Sequence, residues 1–166
     1  MGEITNSRDG GSGGERAATA PGDARSPSPL RFRDDTSRGE PAVTLDAFLD
    51  QRDADAVRLE AGEDARALIP HLAQLALIEV SFPSFRDGRG YSAARILRES
   101  GYTGELRAAG DVLVDQIPFM RRCGFDSFAP EAPIDPVTLD AALARYDYVY
   151  QRAADGRAPV WKLRHG

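Results

Sequence analysis

From Ala42 onward the chain alternates short apolar blocks with segments of helical periodicity, and Gly, Pro and Asp punctuate the joins. That alternation constrains the fold more than any other feature of the sequence, because strand and helix patterns repeat with different periods and cannot be exchanged. Residues 56–61 alternate as a strand does, with Val57 and Leu59 facing one way and Arg58 and Glu60 the other. Residues 75–82 form a near-continuous apolar run, LALIEVSF, as expected of a strand covered on both faces. Residues 106–109 and 125–129 read as further strands, and residues 160–163 as a last edge strand. Helices are expected between them. One spans residues 44–51, with Leu45, Phe48 and Leu49 on one side; another spans 63–73, kinked by Pro70; a third spans 91–100, with Ala94, Ile96 and Leu97 inward. A fourth runs to about Cys123 with Ile117, Phe119 and Met120 inward, and Pro118 delays its start. Asp135 and Pro136 open a fifth, which continues through Leu139, Ala142, Leu143, Tyr146 and Val149. Gly101 and Gly124 fit left-handed caps, and Arg121 and Arg122 complement the dipole of the helix they end.

Strands separated by helices in this way predict crossovers of one hand and an α/β fold: a mostly parallel open sheet, or a part-barrel, with flanking helices. A closed eightfold barrel normally needs about 200 residues or more. The predicted domain covers residues 42–166. In either architecture ligands bind at the carboxyl ends of strands, which singles out the loops after Phe82, Ala109 and Ala129. Residues 1–41 are rich in Gly, Pro, Ser and charge, with only Ile4, Leu30 and Phe32 as large apolar groups, and are expected to be a disordered tail. Residues 6–24 offer no apolar core of a signal peptide. The most apolar window, 72–82, is broken by Gln74 and Glu79 and falls far short of the ~20 residues of a membrane span. A cytoplasmic protein is expected, with no membrane association.

Charge narrows the chemistry. With 21 Lys+Arg against 26 Asp+Glu, the net charge of -5 argues against general nucleic-acid binding, which needs a basic face. Only Lys162 among the cations is a lysine, so nearly every positive group is a planar fork suited to oxyanions. Cys123, His71 and His165 are too few for a disulfide, a redox Cys pair, a four-ligand zinc site or an iron-sulfur cluster, and no metal site is expected.

The loop after Phe82 carries the strongest local signal: Arg86, Asp87, Gly88, Arg89, Gly90, Tyr91, Ser92, Ala93. Gly88, Gly90 and Ala93 satisfy G-x-G-x-x-A between a strand and a helix, and Asp111 follows the next strand where a ribose-binding acid would lie. An NADPH-type dinucleotide is therefore one reading, although residues 83–87 intervene where the true fingerprint turns at once. A broader reading is a small-anion site, with Arg86 and Arg89 bracketing glycine amides at a helix start, facing Gly110, Asp111, Asp115 and Gln116. The rival is a plain turn, with Arg86 paired to Asp87 or Glu79 and Arg89 solvated. Asp111 and Asp115 would share a cation if both lay on one helix, but capping is the expected role, and Gln116 equally fits a surface position. Cys123 is expected to be a buried, inert thiol despite Arg121 and Arg122 beside it. Tyr146, Tyr148 and Tyr150 should divide between core and surface.

The run FRDGRG at Phe85–Gly90, its continuation YSAARILRESGYTGELRAAGDVLVDQ and the later RRCGFDSF resemble a bacterial family of unknown function. Its members are linked to sulfite reduction as oxidoreductases because their genes lie beside those of assimilatory sulfite reductase. The resemblance spans about residues 56–150. It implies a role in sulfur assimilation, either as an accessory protein or oxidoreductase with an anion-recognising loop, or as a non-catalytic partner docking on sulfite reductase or a neighbouring enzyme. No catalytic residue comes with it. The motif positions where a site would be sought are those of the loop above, together with Arg95, Arg122, Cys123 and Gly124.

Overall fold

The computed structural model describes residues 29–35 and 42–163. Five parallel strands follow one another in sequence order: β2 (Val43–Thr44), β3 (Ala56–Leu59), β4 (Leu77–Phe82), β5 (Glu105–Gly110) and β6 (Ser127–Pro130). A sixth, β1 (Leu30–Arg31), pairs antiparallel with the free edge of β6. Because each crossover steps to the same side, connections of one hand place all the helices on one face. The core shows this directly. Leu45 and Phe48 of α1 (Leu45–Gln51), Leu68 of a 3-10 helix (Ala65–His71) and Ala94 and Leu97 of α2 (Arg89–Glu99) pack with Val57, Ile78, Val80, Phe82, Leu106 and Phe128. Ile117 and Met120 of α3 (Ile117–Cys123) and Leu139 of α4 (Pro136–Leu143) complete that cluster. The result is a mostly parallel sheet with its helices packed on one face.

The helix starts follow local chemistry. The Thr44 hydroxyl caps α1, the Asp64 carboxylate caps the 3-10 helix and the Asp135 carboxylate caps α4 by accepting from the Thr138 amide. Pro70 lies inside the 3-10 segment, so the pattern expected to be a kinked helix is tight throughout. Pro118 sits in the first turn of α3, which begins late as expected. Gly124 closes that helix at φ 112°, a conformation side chains resist.

The other face of the sheet is charged. Ala56, Leu77 and Ala109 are buried there outside the helix-side core, beside Arg58, Glu79, Glu105, Arg107 and Ser127. Cross-strand register aligns Arg58 with Glu79, Glu79 with Arg107 and Arg107 with Ser127. Opposite signs therefore alternate across β3, β4 and β5, a pairing that stabilises neighbouring strands. Glu105 takes Arg31 from β1 through Nε at 3.0 Å and Nη2 at 2.7 Å, Arg107 Nη2 at 2.9 Å and the Ser127 hydroxyl at 2.6 Å. Burial alone would push the Glu105 carboxyl up; the hydrogen bonds from Arg31, Ser127 and Arg107 outweigh it and hold the group below its ordinary range. A parallel sheet normally hides both faces under apolar cover, and here an ion-pair lattice takes that role on one side.

Several expectations differ from the structure, among them Phe119, expected inward on α3 but 56% exposed. Leu30–Arg31, within the stretch expected to be a tail, forms β1 because Leu-Arg-Phe-Arg alternates as a strand: the Phe32 ring meets Phe128 edge-on at 5.8 Å while Arg31 and Arg33 reach acids. Residues 1–28 and 36–41 of that stretch, and His165, lie outside the described residues. The helix expected to reach Val149 ends at Leu143, so Tyr146, Tyr148 and Tyr150 lie on irregular chain beyond it and are all exposed rather than divided between core and surface. Val160–Leu163 is a single helical turn, α5, and not a strand; Pro159 starts it by presetting φ and accepting from the Lys162 amide at 2.9 Å.

Candidate functional site

The loops after β4 and β5 meet at the carboxyl edge of the sheet, as the sequence suggested. Asp111 does not cap a helix. Its carboxylate accepts from the Phe85 amide at 2.9 Å, and the Gln116 side-chain amide donates to the Phe85 carbonyl at 2.8 Å. Both backbone polar groups of one loop residue are thus held by side chains of the other loop. The Asp111 amide adds a third tie by donating to the Phe82 carbonyl at 2.8 Å. Gly110 permits this approach: its φ is 104°, and a Cβ there would lie 2.5 Å from the Phe82 carbonyl oxygen.

The clamped loop presents two arginines that behave differently. Arg89 is paired: its Nε donates to Asp87 Oδ1 at 2.9 Å and to Oδ2 at 3.2 Å, while its own amide is capped by the same carboxylate at 3.1 Å. The Arg89 guanidinium and amide hold the Asp87 carboxyl down to about 2. Arg86 is exposed and lies over the Phe85 ring with its guanidinium carbon 5.3 Å from the ring centroid. Among the described residues no carboxylate pairs with it. The plain turn anticipated from sequence thus exists, but its ion pair uses Arg89, and Glu79 pairs with Arg58 and Arg107 instead.

The glycines are explained by packing. A Cβ at Gly90 would lie 2.4 Å from the Phe82 ring, so this glycine lets α2 settle on β4. Gly88 has open space around it and an ordinary backbone conformation. One Asp111 carboxylate oxygen is taken by the Phe85 amide, and residues 83–87 separate β4 from Gly88 where the dinucleotide fingerprint turns at once. Tyr91 is turned inward, edge-on to Phe82 at 5.6 Å and tilted against Phe119 at 5.4 Å, whereas Ser92 is exposed. Burial, then the charges of Cys123 and Asp115, raise the Tyr91 hydroxyl.

Asp115 is exposed, and since α3 starts only at Ile117, Asp111 and Asp115 do not share a helix face for a cation. Among the described residues no group of three or more His, Cys, Asp or Glu side chains is placed to hold a metal ion. Burial pushes the Cys123 thiol up, against the opposing pull of Arg122 and Arg95, which matches an inert thiol. Among the described residues no helix is long and apolar enough to cross a membrane.

Sequence reasoning missed the charged sheet face. Its signal was the recurrence of Arg58, Glu79 and Arg107 at outward positions of successive strands, legible only once the register is known.

No curated protein and no solved structure matches the chain. The model of one family, described as a bacterial protein of unknown function (DUF934), matches residues 56–161, from β3 through the rim loops into α5. The chain belongs to this bacterial family of unknown function, DUF934.

Proposed function

We propose that this protein serves assimilatory sulfite reduction in the cytoplasm as an accessory protein that recognises a small oxyanion at the rim of its sheet. One observation carries the reading: the Arg86 guanidinium stands exposed and, among the described residues, without an acid on a loop fixed by Asp111 and Gln116. A fork held out on a braced loop suits a tetrahedral or pyramidal oxyanion, because little conformational freedom remains to be lost on binding. The link to sulfite comes from the resemblance carried by the same loop. Recognition is favoured over hydride transfer because Gly90 is committed to packing on Phe82 and Asp111 to Phe85. A redox role would require a cofactor brought by another protein.

Docking on sulfite reductase is the second reading, favoured by Tyr146, Tyr148 and Tyr150, which are 66%, 71% and 74% exposed, and by Trp161 nearby. Exposed aromatic clusters of this kind are common at protein interfaces.

Deleting the gene and restoring variants tests both. The proposal expects a deletion strain to require cysteine or sulfide when sulfate or sulfite is the sulfur source, and Arg86→Ala to fail in rescue. Rescue by Arg86→Ala but not by Tyr148→Ser/Tyr150→Ser would favour docking, and normal growth of the deletion strain on sulfate would refute both.

A further inference from the structure

A cleft of about 630 Å³ opens at the other end of the sheet, near the segments that lead into β5 and β6. Five arginines line it, Arg33, Arg98, Arg121, Arg122 and Arg157, against two acids, Asp126 and Asp155. That excess of positive charge sits in a chain whose net charge is -5.

The arginines divide into those that build the walls and those with donors to spare. Arg98 gives Nε to the Gly124 carbonyl at 2.9 Å and Nη1 to the Tyr102 and Gly104 carbonyls at 2.7 and 3.0 Å, and its remaining nitrogen pairs with Asp126. Arg33 is similarly spent on Asp35, Asp126 and the Thr103 and Gly104 carbonyls. Arg121 differs. Its guanidinium stacks on the Phe32 ring at 4.0 Å, and among the described residues it has no hydrogen-bond acceptor. Stacking on an aromatic face leaves the in-plane N–H groups of a guanidinium directed outward. Arg122 engages Asp155 through Nε and the Gln151 carbonyl through Nη2, and Arg157 engages the Tyr146 and Asp147 carbonyls through Nη2, so among the described residues Nη1 of each has no acceptor.

The carboxyl end of α3 also points at this region. Its partial charge of about -0.5 opposes an anion, but it is small beside the spare forks. Phe32, Pro118 and Leu143 supply apolar lining next to them. The volume lies within the ~300–1,000 Å³ usual for small-molecule pockets and well above what a bare ion fills.

We propose that this cleft binds a small organic phosphate, its phosphate held by Arg121 with Arg122 and Arg157 and its organic part resting on Phe32, Pro118 and Leu143. The site is separate from the Arg86 rim and does not depend on it.

Isothermal titration at low ionic strength, with phenyl phosphate and inorganic phosphate as probes, tests this. Wild-type protein is expected to bind phenyl phosphate at least tenfold more tightly than inorganic phosphate. In an Arg86→Ala background, which removes the rim fork from the titration, Arg121→Gln should still weaken phenyl phosphate tenfold or more. Arg157→Gln, an exposed position whose substitution removes only bonds to the surface carbonyls of Tyr146 and Asp147, should weaken it too and serves if Arg121→Gln misfolds. Equal binding of the two probes, no binding of either, or retention of phenyl phosphate affinity in Arg157→Gln would overturn the proposal.

Discussion

Glu105 holds the charged sheet face together, and replacing it by Ala is the sharpest perturbation of the fold. Its side chain is 4% exposed and that of Arg107 is 3% exposed, so both charges are out of water. Glu105→Ala removes the acceptor of two bonds from Arg31, one from Arg107 and one from Ser127. It leaves Arg107 with Glu79 at 3.6 Å as its nearest described carboxylate. Removing one partner of a buried ion pair costs about 3–5 kcal/mol, whereas an exposed pair is worth about 0–1 kcal/mol. Glu60, paired with Arg58 at 2.8 Å but 51% exposed, supplies the control. Urea unfolding followed by far-ultraviolet circular dichroism should show a large fall in midpoint for Glu105→Ala and almost none for Glu60→Ala. The pH dependence has a fixed sign. A carboxyl held below its ordinary value stabilises the fold above that value and loses the contribution as pH falls through the folded one, so the gap between wild type and Glu105→Ala should narrow in acid. If Glu105→Ala cost no more than Glu60→Ala at neutral pH, the lattice would be decorative and the reasoning wrong.

Other consequences follow from the rim. Gly90→Ala drives a methyl into the Phe82 ring at 2.4 Å and should cost about 1–3 kcal/mol, read as a lower thermal midpoint. Asp111→Ala frees the Phe85 amide, whose hydrogen exchange should speed up strongly while exchange in β5 stays slow. In a carboxyl NMR titration Asp87 should lose its charge near pH 2, and Arg89→Ala should move that midpoint back towards 3.8; an unmoved midpoint would show that the pair does not persist in solution.

Much of this fold is legible in the sequence because its elements are short and sharply punctuated. Val57 and Leu59, the block at 77–82 and the Asp135-Pro136 start each carry a local signal that tertiary packing then uses unchanged. The meeting of the Arg86 and Gly110 loops was legible too, because strand ends gather at one edge of a parallel sheet. What each residue does there was not. The choice of Asp87 by Arg89 rather than Arg86 is a matter of side-chain geometry two residues apart, and the clamp on Phe85 by Asp111 and Gln116 reaches across 26 and 31 residues of sequence. The strand at Leu30–Arg31 was hidden by its polar surroundings, since two residues of alternation carry no weight until Glu105 and Phe128 are placed beside them. The end of α4 was hidden for the opposite reason: Tyr146 and Val149 continue a helical spacing that no core stands ready to receive at Tyr146, Tyr148 or Tyr150.

The most direct measurement on the functional account is a calorimetric titration of sulfite into the wild-type protein and into Arg86→Ala. The account predicts saturable binding to wild type that weakens by about tenfold or more, roughly 1.4 kcal/mol, when the free fork is removed. Equal affinity in the two proteins, or no binding to the wild type at millimolar sulfite, would contradict it.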